Sequence, residues 1–145
     1  MKIRRMTEED LDQAARIEAA CFRESWSRAL LEEGLKNPWN LFLAAEEQET
    51  LIGYGAACVI AGEGEIQRIA VLKEFRGEGR GRKLLEALVN FSKDRGVRSM
   101  TLEVRESNLP ARRLYISAGF LEEARRKNYY SNPREDAIIM WNRNL

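Results

Sequence analysis

The stretch that decides the reading runs Gln67-Arg68-Ile69-Ala70-Val71-Leu72-Lys73-Glu74-Phe75-Arg76-Gly77-Glu78-Gly79-Arg80-Gly81-Arg82-Lys83-Leu84-Leu85. Its first part predicts a strand over Glu65 to Val71, and its last part opens a helix over Gly79 to Arg95. Leu84, Leu85, Leu88 and Phe91 recur at helical spacing on one face, and Gly96 follows as a stop. Between strand and helix stand three alternating glycines. They let the chain turn tightly and leave its N–H groups bare, and the helix start adds unpaired N–H groups with a partial positive charge. Such a segment is a cradle for a pyrophosphate, with Arg76, Arg80, Arg82 and Lys83 placed for outer phosphates. It is not the dinucleotide pattern, whose third glycine falls here on Arg82, and no Gly-Lys-Ser/Thr follows as in a P-loop. Taken alone it reads equally as a basic surface turn. An arginine-glycine RNA element is the weaker reading, because no aromatic side chains are interleaved for stacking.

Outward from this stretch, periodicity predicts the remaining elements. Ile3 to Met6 reads as an edge strand, and Thr7 with Asp10 reads as a capping box opening a helix to Cys21. Ser27 starts a second helix that ends near Asn37-Pro38. Leu41 to Ala45 and Leu51 to Ile60 are strands, and Ala61 to Gly64 is a turn. Ser99 to Val104 alternates, with Met100, Leu102 and Val104 on one face and Thr101 and Glu103 on the other. Asn108 to Ala118 is a helix with Pro110 in its first turn. Phe120 to Tyr129 and Ala137 to Asn142 close the set. The order implies an α/β chain built on one mixed, mostly antiparallel sheet of six or seven strands, with helices on both faces.

With 145 residues, residues 1–145 are expected to form one domain. The 44% apolar and 32% charged content suits a globular chain. The longest apolar run, Leu51 to Ala61, is too short for a bilayer, and no signal peptide is expected at the N-terminus. Two cysteines, Cys21 and Cys58, in a charge-rich chain point to reduced thiols and a cytoplasmic setting. A net charge of +1 provides no general pull toward nucleic acid or membrane. There is no histidine, which excludes Ser-His-Asp and Cys-His nucleophiles and histidine-ligated zinc. No metal is expected. Chemistry here must run on carboxylates, tyrosine, lysine, main-chain amides or a cosubstrate.

In combination the motifs resemble the GCN5-related N-acetyltransferases. Strand Gln67 to Val71, the spacer, and Arg76-x-x-Gly79-x-Gly81 match that family's acetyl-CoA motif. Asn108-x-x-Ala111-x-x-Leu114-Tyr115-x-x-x-Gly119-Phe120 matches a second stretch. Leu102-Glu103-Val104-Arg105, Asn128-Tyr129-Tyr130 and Arg134-Glu135-Asp136-Ala137 resemble its ribosomal-protein-alanine N-acetyltransferase branch. The resemblance implies that the strand main chain at Ile69, Ala70 and Val71 holds pantetheine. It implies that the loop amides of Gly77, Glu78, Gly79, Arg80, Gly81 and Arg82 hold the pyrophosphate beside Arg76. Asn108 would contact coenzyme A while also capping its helix.

Acetyl transfer from a thioester needs a neutral amine, a stabilised oxyanion and a proton for the thiolate. A peptide α-amine titrates near pH ~8, so removing its proton is a modest task. Glu103 is the candidate base, acting directly or through one water; its bland alternative is a carboxylate paired with an arginine. Tyr115 is the general acid that the resemblance implies, and otherwise a packed helix aromatic. Tyr129 and Tyr130 are the expected acceptor contacts. Trp26 reads as a packing residue at the helix junction. The branch carries Pro where this chain has Ser25, and Pro directly after the Tyr-Tyr pair where this chain has Ser131; both departures fall on acceptor loops. The implied partner is the N-terminal alanine of a small-subunit ribosomal protein, met by a monomer or weak dimer. The other readings are acetylation of a small amine such as a polyamine or antibiotic, and a non-catalytic ribosome- or RNA-binding module.

Overall fold

The computed structural model describes residues 1–145. Thirteen short elements fold around one seven-stranded sheet. The strands are β1 (Lys2–Arg5), β2 (Asn40–Glu47), β3 (Thr50–Ile60), β4 (Glu63–Val71), β5 (Ser99–Arg105), β6 (Leu121–Tyr130) and β7 (Glu135–Asn142). The helices are α1 (Leu11–Cys21), α2 (Arg28–Lys36), α3 (Arg80–Asp94) and α4 (Leu109–Ser117), with two short 3-10 turns. Spatial order is β1-β2-β3-β4-β5-β7-β6. Every neighbouring pair is antiparallel except β4 with β5, the two strands linked through α3. A parallel pair needs such a crossover, and here it delivers the glycine loop to the end of β4.

Alternation along the strands sorts the core into two layers. Leu41, Leu43 and Ala45 of β2 join Met100, Leu102 and Val104 of β5 and Leu84, Leu85 and Leu88 of α3. Phe42 and Ala44 point the other way, onto Leu11, Ala14 and Ile17 of α1 and Leu31 of α2. The central strands are therefore buried on both faces, as their near-continuous apolar runs require. No helix is long and apolar enough to cross a membrane.

Local signals set the element ends. The Thr7 main-chain N–H donates to Asp10 at 2.8 Å, so the capping box is real, but Glu8–Asp10 forms a 3-10 turn and α1 starts at Leu11. Ser27 caps α2 by accepting from the Leu30 N–H at 3.1 Å. The β3–β4 turn is tighter than the sequence suggested. Ala61 and Gly62, at φ +52° and +79°, make a two-residue hairpin turn, so β4 begins at Glu63.

A split sheet and its candidate active site

The decisive irregularity is in β4. Ala56 of β3 faces Arg68, whereas Ala57 faces Ile66, so Gln67 is an extra residue that bulges out of the ladder. The pairing of β4 with β5 stops at Ile66↔Leu102, although both strands run on, to Val71 and to Arg105. The sheet is open from there onward.

The bulge also decides which main-chain groups face the opening. Leu72 N–H donates to Ile52 O at 2.8 Å, so that pair, and Ala70 with Tyr54 two residues back, face each other in the ladder. Antiparallel alternation then leaves the main-chain polar groups of Ile69 and Val71 on the open edge. Ala70 is thus turned toward β3, with its side chain in the α1 core. The Val71 carbonyl accepts from Arg76 Nε at 2.7 Å, and Cys21 Sγ lies 3.7 Å from the same oxygen.

The glycine loop has the expected form with one difference. Gly77 and Gly79 sit at φ +90° and +78°, where a side chain is strained. Gly81 is inside α3 with ordinary backbone, and a methyl group there would meet only Leu114, at 4.0 Å. None of the main-chain N–H groups from Gly77 to Arg82 has a partner in the protein; the first helical bond is Lys83 N to Gly79 O at 3.0 Å. Six consecutive bare donors at a helix N-terminus suit a diphosphate.

The arginines expected at outer phosphates have partners within the protein as well. Arg76 is turned onto Val71. Arg80 donates to Glu47 from Nε and Nη2, both at 3.1 Å, and to Glu78 at 2.7 Å. Arg82 binds Glu86 and the Ser117 hydroxyl, each at 2.8 Å, and so ties α3 to α4. Lys83 is exposed and makes neither an ion pair nor a side-chain hydrogen bond. Arg80 and Arg82 thus also brace the start of α3, against β2 and against α4.

At the open end of β4 and β5 lies a cavity of about 530 Å³. From the face of α1 it is lined by Phe22, Trp26, Arg68, Glu103, Tyr129 and Tyr130, and from the face of α4 by Asn108, Ala111 and Tyr115. Glu103 and Tyr115 belong to opposite faces: Leu102 and Val104 point into the α3 core that Tyr115 packs against, and Glu103 points away from it. They reach one cavity because the sheet is split between them.

Glu103 is 29% exposed and pairs with Arg126 Nη1 at 3.7 Å, so the arginine partner exists alongside an open carboxylate. The Tyr129 phenol is held above its usual range, first by its approach to the Glu103 carboxylate. Tyr130 is pushed up to about 12, mainly by burial and then by Glu103. Burial alone pushes Tyr115 up to about 12, so it keeps its proton at neutral pH. Its ring meets Phe120 edge-on at 6.0 Å. Asn108 caps α4, accepting from Ala111 N–H at 3.3 Å, and lines the cavity as well.

Two loops wall the outer end. Arg105 anchors the β6–β7 loop through Pro133 O at 2.9 Å, Ser131 O at 3.0 Å and Glu135 at 3.2 Å. Arg23 reaches across from the α1–α2 loop to Asn132 O at 3.0 Å. Trp26, expected to pack the helix junction, also faces the cavity. The sequence reading missed Glu18, Tyr54 and Arg68, which meet behind this wall. A glutamate among apolar positions of α1 was the available signal.

The family model for the Acetyltransferase (GNAT) family matches residues 11–120, which include the loop, Glu103 and Tyr115. The chain belongs to the GNAT family. Members of this family are acetyl-CoA-dependent N-acetyltransferases, and this GNAT chain is such an enzyme. It is 36% identical over 143 residues to the [ribosomal protein bS18]-alanine N-acetyltransferase of Haemophilus ducreyi, covering 95% of this chain and 97% of that one. The crystal structure of the ribosomal-protein-S18-alanine N-acetyltransferase from Escherichia coli superposes with a TM-score of 0.89. It is 34% identical, covering 97% of this chain and 91% of that one. Ard1 from Thermoplasma volcanium superposes equally well, at 0.89 with 27% identity over 99% and 97%.

Proposed function

We propose that this GNAT enzyme acetylates the α-amine of a protein N-terminus, and that its acceptor is the N-terminal alanine of ribosomal protein bS18. The observation that carries the reading is the split between β4 and β5. It lets a carboxylate on one face and a phenol on the other address the same cavity. The two similar proteins named for bS18 support the choice of acceptor.

Acetyl-CoA, held as the cosubstrate, supplies the thioester carbonyl. The amides from Gly77 to Arg82 bind its diphosphate, and the open main chain of Ile69 with the Val71 N–H aligns the pantetheine arm along β4. The acceptor enters between Tyr129, Tyr130 and the α1–α2 loop. Glu103 takes the proton of the incoming ammonium, directly or through a water, and the neutral amine attacks in a ternary complex.

Tyr115, in the wall of the same cavity, is the group for the departing sulfur. Burial holds its phenol up at about 12, so it is protonated and able to donate at neutral pH. Its role is that of the general acid, donating its proton to the departing thiolate as the C–S bond breaks and regaining one from the acetylated amine.

The test is a panel of N-terminal peptides varying in the first two residues, assayed by mass spectrometry beside spermidine and an aminoglycoside. Acetylation confined to the α-amine, with alanine first preferred, is expected. Transfer only to the free amines would overturn the reading.

A further inference from the structure

The proposed chemistry leaves one buried ionic cluster unused. Glu18 of α1 is fully buried. It accepts from the Trp26 N–H at 2.7 Å and from the Tyr54 hydroxyl, and Arg68 Nε lies 3.4 Å from its Oε2. Arg68 follows directly on the Gln67 bulge, and its guanidinium lies 4.1 Å from the centre of the Phe22 ring and 4.3 Å from that of Trp26. Nη2 donates to the Glu24 carbonyl at 3.1 Å, whereas Nε is buried without a hydrogen-bond partner. The 3.4 Å approach to Glu18 is charge attraction without alignment.

This is an expensive way to pack a junction. Taking two charges out of water costs several kcal/mol per ion, and apolar side chains of the same volume often serve stability as well. The cation also sits in the wall of the reaction cavity, with its side chain 19% exposed. Nη1 makes no hydrogen bond in the protein and stays available. A guanidinium lying over two aromatic rings and drawn toward a buried carboxylate has lost much of its freedom before any acceptor arrives.

We propose that Arg68 is an acceptor contact that selects peptide N-termini, its Nη1 donating to the carbonyl oxygen of the acceptor's first residue. This rests on the α-amine reading of the site. In a peptide that carbonyl is two bonds from the carbon-bound amine, inside the cavity whenever the amine is at Glu103. A lysine side chain or a polyamine has only methylene groups there and offers nothing to accept. Glu18 is the positioning residue, acting through Arg68 and through the Trp26 main chain.

The test measures steady-state kinetics of the whole enzyme with an alanine-first peptide and with spermidine, beside calorimetry with acetyl-CoA. R68M should raise the peptide KM by about tenfold, the worth of one hydrogen bond to a charged group, with kcat and acetyl-CoA affinity within about twofold. R68K keeps a cation against Glu18 and should raise KM as well, so the question stays open to measurement if R68M does not fold. A peptide whose first carbonyl is a thiocarbonyl, a weaker acceptor, should be penalised with wild type and not with the variants. A purely structural role would leave that penalty in place. An unchanged peptide KM in both variants, or a thiocarbonyl penalty that persists in them, overturns the role of Arg68 alone. Wild-type enzyme that binds acetyl-CoA and acetylates spermidine but no peptide overturns the α-amine reading, and Arg68's role with it.

Discussion

Arg80, the first residue of α3, holds Glu47 near the end of β2 through two nitrogens, each at 3.1 Å. The pair pins the glycine loop to β2, and both side chains are largely shielded. E47Q should therefore loosen the loop and leave the chemistry alone. A partly exposed pair is worth up to about 1 kcal/mol, so acetyl-CoA KM should rise about two- to fivefold with kcat unchanged. A lower KM in steady-state assays would mean that Arg80 leaves Glu47 to meet a phosphate, against this account.

The loop glycines should respond unequally. At φ +78° an alanine at position 79 is strained by roughly 1–2 kcal/mol, and relief of that strain moves the bare N–H groups. G79A should weaken acetyl-CoA binding about tenfold in calorimetry. G81A adds a methyl group against Leu114 alone and should bind within about threefold of wild type. Equal losses at the two positions would contradict the backbone argument.

Glu103 and Tyr115 should affect turnover and spare the cofactor. E103Q removes the proton acceptor and should lower kcat by about 100-fold, in the usual range for a positioned base. Y115F should lower kcat by about tenfold, as expected for one lost hydrogen bond to a charged sulfur. Single-turnover assays with saturating acetyl-CoA report both. Wild-type turnover in the two variants would remove the mechanism.

Alkaline pH should expose the two buried phenols. Tyr115 and Tyr130 are both pushed up to about 12 in the folded chain, against ~10 when unfolded. Between pH ~10 and ~12 the folded state holds protons that the unfolded state has lost, so stability falls as pH rises through that window. Below it the contribution is complete. For Tyr115 the contribution is on the order of 2–3 kcal/mol. Thermal melts should show wild type losing stability more steeply than Y115F across this window. Parallel curves would refute the burial of that hydroxyl.

Much of this molecule was legible from short-range pattern. Ser27, Asn108 and the Thr7–Asp10 box mark helix starts through bonds that span three residues. Alternation in Ser99–Val104 placed Glu103 opposite Leu102 and Val104, which is where it lies. Three alternating glycines implied a tight turn, and Gly77 and Gly79 make it with left-handed backbone. Each of these is a relation between neighbours in sequence, set by rotation per residue and by sterics.

What the tertiary structure decided are relations between distant segments. The extra residue at Gln67 is visible only against Ala56 and Ala57 of β3, and it opens the sheet and frees Ile69 and Val71. That Arg76, Arg80 and Arg82 also have partners in Val71, Glu47 and Ser117 is visible only in the folded chain. Glu18 and Arg68 became a pair only when α1 packed on β4. The physical reason is that charge and hydrogen-bond partners are chosen by proximity in space, which a linear pattern of residue types does not encode.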